Sequence, residues 1–181
     1  MITDRSPGFT LVELLAAMSV LAITLSVSTP SMRYMLYKNE LRVQLGRVLT
    51  AINLVRSEAV ARNTPVSMCP SISPQAALPV CSGSYQNGWI IFSNPNRDTV
   101  IDPATDEVVA VFEGLPDGYS LTNRSATKAA KDLITYLSDG SSRKPRTLMI
   151  CPPPGTAVPS RSIVMNRLGR PRQAVGWGHC P

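Results

Sequence analysis

The sequence predicts an α+β protein, one long N-terminal helix packed on an antiparallel β-sheet head. Three observations carry that expectation. Leu14 to Met32 holds no charged side chain, close to the roughly 20 apolar residues that cross a bilayer core as a helix. From Leu41 to Ala59, apolar residues recur at helical spacing. Beyond Pro65 the pattern becomes short alternating runs separated by Pro, Gly and Asn. A helix with one apolar stripe followed by strands is the order in which a sheet covers that stripe.

Residues 1–8 are polar, with Asp4 cancelling Arg5, and residues 9–33 form the apolar half of the helix, expected to span a membrane or line a filament core. Glu13 is the one ionisable side chain in that half before Arg33. A carboxylate heading an apolar run is costly in lipid and marks a candidate functional position. A secretory signal peptide fits poorly, because the polar front is short and no A-x-A-like site closes the run. Pro30 removes a backbone donor and is expected to bend the helix.

Residues 34–63 continue the helix as its amphipathic half. Leu41, Leu45, Val48, Leu49, Ile52, Val55 and Ala59 form its stripe, while Arg42, Arg47, Arg56 and Arg62 alternate with Glu40 and Glu58 elsewhere. Asn63-Thr64-Pro65 stops it. Residues 64–181 form the head. Strands are expected at Val66–Met68, Gly88–Phe92, Glu107–Phe112, Tyr119–Thr122, Leu133–Leu137, Arg146–Ile150 and Arg161–Asn166, with turns at Asn94-Pro95-Asn96 and Leu115-Pro116-Asp117-Gly118. The length left after the apolar run suits one core and not two.

Chemistry is sparse. His179 is the lone histidine, so neither a nucleophile–base pair nor a metal site is legible, and no enzyme activity, cofactor or metal is expected. The cysteines Cys69, Cys81, Cys151 and Cys180 form no C-x-x-C pair. Beyond a membrane-inserted N-terminus an even count reads as disulfides. Three pairings are possible; Cys69 with Cys81 and Cys151 with Cys180 is favoured, because each closes a segment within one half of the head. The charge is uneven. Residues 1–140 net −1, whereas 141–181 hold seven basic residues and no acid, an asymmetry that points to an anionic partner or to a solubilising face.

Gly8-Phe9-Thr10-Leu11-Val12-Glu13-Leu14-Leu15 resembles the processing site of type IV prepilins and type II secretion pseudopilins. The resemblance implies that a prepilin peptidase cuts after Gly8 and that Phe9 becomes the N-methylated mature terminus. It further implies that Glu13 neutralises the amino terminus of a neighbouring subunit, and that the helix is kept in the inner membrane before assembly into a pilus, with the head periplasmic. Arg56-Ser57-Glu58-Ala59-Val60, Val66-Ser67-Met68-Cys69-Pro70, Gly88-Trp89-Ile90-Ile91-Phe92, Thr147-Leu148-Met149-Ile150-Cys151 and Ile163 to Arg170 are similar to the minor pilins and pseudopilins of the GspH/FimT type. That implies the type IV pilin fold, other pilins as partners, and a low-abundance subunit near the filament tip.

Gly169-Arg170-Pro171-Arg172 resembles the G-R-x-R tail of the family's DNA-uptake minor pilins, and implies double-stranded DNA as a partner during natural transformation. Arg170 and Arg172, two apart in an extended segment, would point the same way, and guanidinium forks suit phosphate oxygens. Arg167 and Arg161 are expected to assist, with Arg143, Lys144 and Arg146 widening the patch. With no recognition helix legible, the expected binding is phosphate-dominated and sequence-tolerant. The alternatives are a structural tip or priming pilin without DNA binding, and a type II secretion pseudopilin. In both, Gly169-Arg170 merely ends the last strand.

Overall fold

The computed structural model describes residues 8–177 and Cys180, and of residues 27–31 the backbone alone. His179 and residues 1–7 of the expected leader lie outside the described residues. The chain divides into two units, Met1–Leu36 and Tyr37–Pro181. Helix α1 (Leu11–Ala61) contributes to both.

In the first unit every described side chain is exposed. Described hydroxyls of the apolar run bond within the helix: those of Ser19 and Ser26 donate to the carbonyls of Leu15 and Ile23. The span expected between residues 9 and 33 includes residues 27–31, whose side chains lie outside the described set. Among the described residues no helix is long and apolar enough to cross a membrane. The bend expected at Pro30 falls on residues whose side chains lie outside the described set.

In the second unit the helix carries the predicted stripe. Leu41, Leu45, Val48, Ile52, Val55 and Ala59 are fully buried, and Leu49 is half-buried. The helix ends where Asn63-Thr64-Pro65 says it should. Asn63 takes a left-handed φ of 51°. Its amide donates to the Val60 carbonyl at 3.3 Å, and that of Thr64 to the Ala59 carbonyl at 3.3 Å. These two bonds are the pair that closes a Schellman cap.

Eight strands follow: β1 (Val66–Pro70), β2 (Gly88–Ser93), β3 (Val108–Glu113), β4 (Ser120–Asn123), β5 (Ile134–Tyr136), β6 (Arg146–Cys151), β7 (Arg161–Met165) and β8 (Pro171–Val175). They form two antiparallel four-stranded sheets, ordered β3-β2-β1-β5 and β4-β6-β7-β8. Seven match expected runs to within a few residues. The eighth, β8, lies beyond the last expected run. Its residues alternate poorly and are mostly exposed, and it lies at the sheet edge, with its proline at the first position, where a missing donor is tolerated.

One core joins the helix stripe to both sheets. Met68, Trp89, Ile91 and Tyr136 come from the first sheet, and Leu121, Ile150, Ile163 and Met165 from the second. Arg47 holds the helix against the first sheet, its guanidinium 5.6 Å from the Trp89 ring and donating to the Glu113 and Gly114 carbonyls. All six residues of β2 are buried, because its outward face is also covered. There Cys69, Ile90 and Phe92 pack with Cys81, Ile101 and Leu133. Asn94 donates to the Ser67 hydroxyl at 2.9 Å and ties the covering loop down.

Candidate functional site

The N-terminal positions are built from a short extended entry and one capping motif. Gly8 and Phe9 precede the helix, exposed, with Phe9 84% accessible. The Thr10 hydroxyl caps the helix by accepting from the Glu13 amide at 3.3 Å. The Glu13 carboxylate accepts in turn from the Thr10 amide at 3.3 Å and from its hydroxyl at 3.1 Å. This reciprocal pair is a capping box. Thr10-Leu11-Val12-Glu13 announces it in sequence as a T-x-x-E ahead of an apolar run, a signal overlooked in favour of Glu13's cost in lipid. The box supplies a local reason for the carboxylate that needs no neighbouring subunit.

The expected DNA-binding residues fall on a structured hairpin. Between β7 and β8, the Gly169 amide donates to the Asn166 carbonyl at 3.1 Å and the Arg170 amide to the Asn166 side-chain oxygen at 3.1 Å. Gly169 is buried at φ 73°. A β-carbon there would collide with the Gly140 carbonyl oxygen and lie 2.7 Å from Tyr136 Cε1. The Tyr136 hydroxyl donates to the Gly169 carbonyl at 3.0 Å, and burial pushes its pKa up to about 12. The Gly140 carbonyl accepts from Arg56 Nε at 3.1 Å, and the Ser142 amide donates to the Arg167 carbonyl at 3.1 Å. The glycine is therefore required by packing: it lets the turn rest on the β5–β6 loop, which is itself clasped by α1.

On this anchored turn Arg167 and Arg170 are exposed, and Arg172 is exposed on β8. The arrangement departs from expectation in two ways. Arg170 belongs to the turn and Arg172 to a strand, so the two do not alternate along one free extended tail. Arg161 pairs with Val175, on the face that also carries Ile163 and Met165, whereas Arg172 pairs with Val164 on the opposite face. Antiparallel partners share a face and neighbours along a strand do not. Arg161 and Arg172 are thus separated by the sheet. Arg146 is committed to structure, donating to the Asp132 and Leu133 carbonyls at 3.2 and 3.0 Å.

Sequence reasoning missed Trp177 and Arg124. Arg172 lies 6.0 Å and Arg124 4.9 Å from the Trp177 ring centroid, and the Trp177 carbonyl accepts from the Ser162 hydroxyl. Two guanidinium groups this close to one tryptophan ring are both drawn to it by cation–π attraction. Nothing in sequence spacing links residue 124 to 172; the pairing of β4, β6, β7 and β8 does. The structure joins Cys69 to Cys81 and Cys151 to Cys180. The second bond ties the segment after β8 to the end of β6. Among the described residues no cluster of His, Cys, Asp or Glu could hold a metal.

A helix capped at Thr10–Glu13 and a two-sheet head with a disulfide-tied C-terminus define a pilin-like subunit, and comparison gives the family. Residues 44–169 match the type II transport protein GspH family, and residues 4–29 the prokaryotic N-terminal methylation motif. The chain belongs to the GspH family, as a minor pilin or pseudopilin of a type IV pilus or type II secretion system. Its fold is similar to that of the type IV minor pilin FimU of Pseudomonas aeruginosa PAO1, with a TM-score of 0.52 and 17% identity over 76% of this chain and 90% of that one. It is also similar to the minor pseudopilin EpsH from the type 2 secretion system of Vibrio cholerae, with a TM-score of 0.50 and 14% identity over 75% and 97%. No curated protein sequence matches the chain significantly.

Proposed function

We propose that this protein is a minor subunit of a type IV pilus whose head binds double-stranded DNA, without sequence preference, for uptake in natural transformation. Arg170 and Arg172 grip phosphates, and Arg167 assists from the same hairpin. Arg161, on the other sheet face, adds only to the general field. The observation that carries the reading is electrostatic: Arg167, Arg170 and Arg172 are exposed on an anchored hairpin, none of them in an ion pair among the described residues. An anchored backbone lowers the entropy lost on binding, and guanidinium forks match phosphate oxygens.

In the same reading a prepilin peptidase cuts after Gly8, Phe9 is N-methylated, and the chain waits in the inner membrane with its head in the periplasm before joining other pilins. Glu13 serves assembly there. The role is structural and binding, not catalytic. The packing of Gly169 favours a second reading, a structural pilin or type II secretion pseudopilin without DNA. The glycine of the G-R-x-R pattern is explained by Tyr136 and Gly140 alone.

Fluorescence anisotropy of labelled duplex DNA, titrated with the full chain in detergent micelles, tests the proposal. The expected result is binding that weakens steeply with salt and is lost in a still-folded Arg170→Gln/Arg172→Gln variant. Equal binding by that variant would overturn the role of the two arginines, and no binding by the parent would favour the second reading.

A further inference from the structure

A second basic region lies where residues 128–133 pass from the second sheet to the first. Two hollows open there. One, of about 500 Å³, is lined by Asn123, Lys128, Lys131, Asp132 and Arg146 among others; the next, of about 310 Å³, by Arg97, Thr135, Arg143, Lys144, Asp132 and Arg146. Asp132 and Arg146 form the wall between them. That wall is fixed, because the Arg146 guanidinium donates to the carbonyls of Asp132 and Leu133.

The two hollows gather six cations around a single acid, Asp132. The whole chain has only 18 basic residues to 12 acidic, so the local excess is far above the average. Arg97, Lys128, Lys131, Arg143 and Lys144 are exposed, and none of the six is in an ion pair among the described residues. A solubilising face would spread such charges over convex surface. Here they line a concave one, where the field of like charges is focused. The cations also continue toward the candidate hairpin, because the Ser142 amide bonds the Arg167 carbonyl and so joins the loop bearing Arg143 and Lys144 to the β7–β8 turn.

We propose that this double hollow is a second phosphate-binding tract, along which the backbone of DNA held at the β7–β8 hairpin continues. The inference rests on the DNA reading above and extends its footprint to a region that the G-R-x-R pattern does not touch. Two open hollows sharing a cationic wall suit a linear polyanion with repeated phosphates better than one small anion. Lys128 and Lys131 meet one stretch of backbone, and Arg97, Arg143 and Lys144 the next. Arg146 stays a wall residue, because moving it would strip two carbonyls of their donor.

The test compares salt dependence in three proteins, each the full chain in micelles: the parent, a Lys131→Gln/Arg143→Gln/Lys144→Gln variant, and the Arg170→Gln/Arg172→Gln variant. Each phosphate neutralised contributes about 0.9 to the slope of log K against log salt on duplex DNA. The triple variant is expected to lose about 2 to 3 units of slope and to bind roughly tenfold or more weakly, with near-ultraviolet circular dichroism and melting unchanged. Parental slope and affinity in the triple variant, with loss in the hairpin variant, would overturn the tract and leave the hairpin standing. Loss in the triple variant with parental behaviour in the hairpin variant would support the tract and overturn the hairpin. No DNA binding by the parent would overturn both.

Discussion

Replacing Gly169 by alanine tests whether that residue serves packing or DNA. Its φ of 73° lies in the left-handed region, which costs a residue with a β-carbon about 1–2 kcal/mol. The added carbon would also strike the Gly140 carbonyl oxygen and stand 2.7 Å from Tyr136 Cε1. The first obstacle is backbone held by Arg56, so relief requires the hairpin to lift. Overpacking of this kind costs about 1–3 kcal/mol more. Gly155 provides the control, with a φ of 81° and nothing within 4 Å of an added β-carbon. At roughly 3 °C per kcal/mol for a head of this size, Gly155→Ala should lower the melting temperature by about 5 °C and Gly169→Ala by about 10 °C. Thermal unfolding followed by near-ultraviolet circular dichroism reads both. Equal melting of the two variants would refute the steric argument. If Gly169→Ala then also lost DNA binding while folded, the glycine would be serving the ligand.

Three further outcomes follow from the same geometry. Glu13→Gln keeps an acceptor for the Thr10 amide and removes only the charge, whereas Glu13→Ala removes the box at a cost of about 1 kcal/mol; filament incorporation lost in both variants assigns the role to charge, and lost only in Glu13→Ala assigns it to the cap. Removing Cys151–Cys180, which closes a separation of 29 residues, should cost about 3.6 kcal/mol, and Cys69–Cys81, at 12, about 2.8 kcal/mol in the chain-entropy estimate; denaturant titration of a Cys151→Ser/Cys180→Ser and a Cys69→Ser/Cys81→Ser variant measures each. Burial pushes Tyr136 up to about 12 and Tyr85 up as well, both above the unfolded value near 10. The unfolded chain therefore releases these protons first, so stability is full below about pH 10 and falls as the pH rises toward 12. Tyrosinate absorbance should show these two groups titrating only as the head unfolds; early, reversible titration of all five tyrosines would contradict their burial.

Much of the fold was legible because it is written in period. The stripe from Leu41 to Ala59, the Asn63-Thr64-Pro65 stop and the Gly88–Phe92 strand follow from spacing and turn chemistry that do not depend on distant contacts. The division into two sheets was not, because strand order is set by long-range pairing such as β1 with β5 and β4 with β6. β8 was hidden by its polar composition, which an edge strand tolerates. In the candidate site, the acid-free segment and its exposed arginines could be read from sequence. Whether Arg161 and Arg172 share a face could not, since that depends on the register of β7 against β8. The Trp177–Arg124 contact was illegible for the same reason.

The most direct test of phosphate-dominated binding changes the DNA instead of the protein. The full chain in micelles would be titrated with a duplex, with the same duplex bearing neutral methylphosphonates over one turn, and with a scrambled sequence. A grip by Arg170, Arg172 and their neighbours requires equal affinity for the first and the scrambled duplex, with marked weakening and a shallower salt slope on the neutral backbone. Undiminished binding to the methylphosphonate duplex, or strong preference for one sequence, would contradict it.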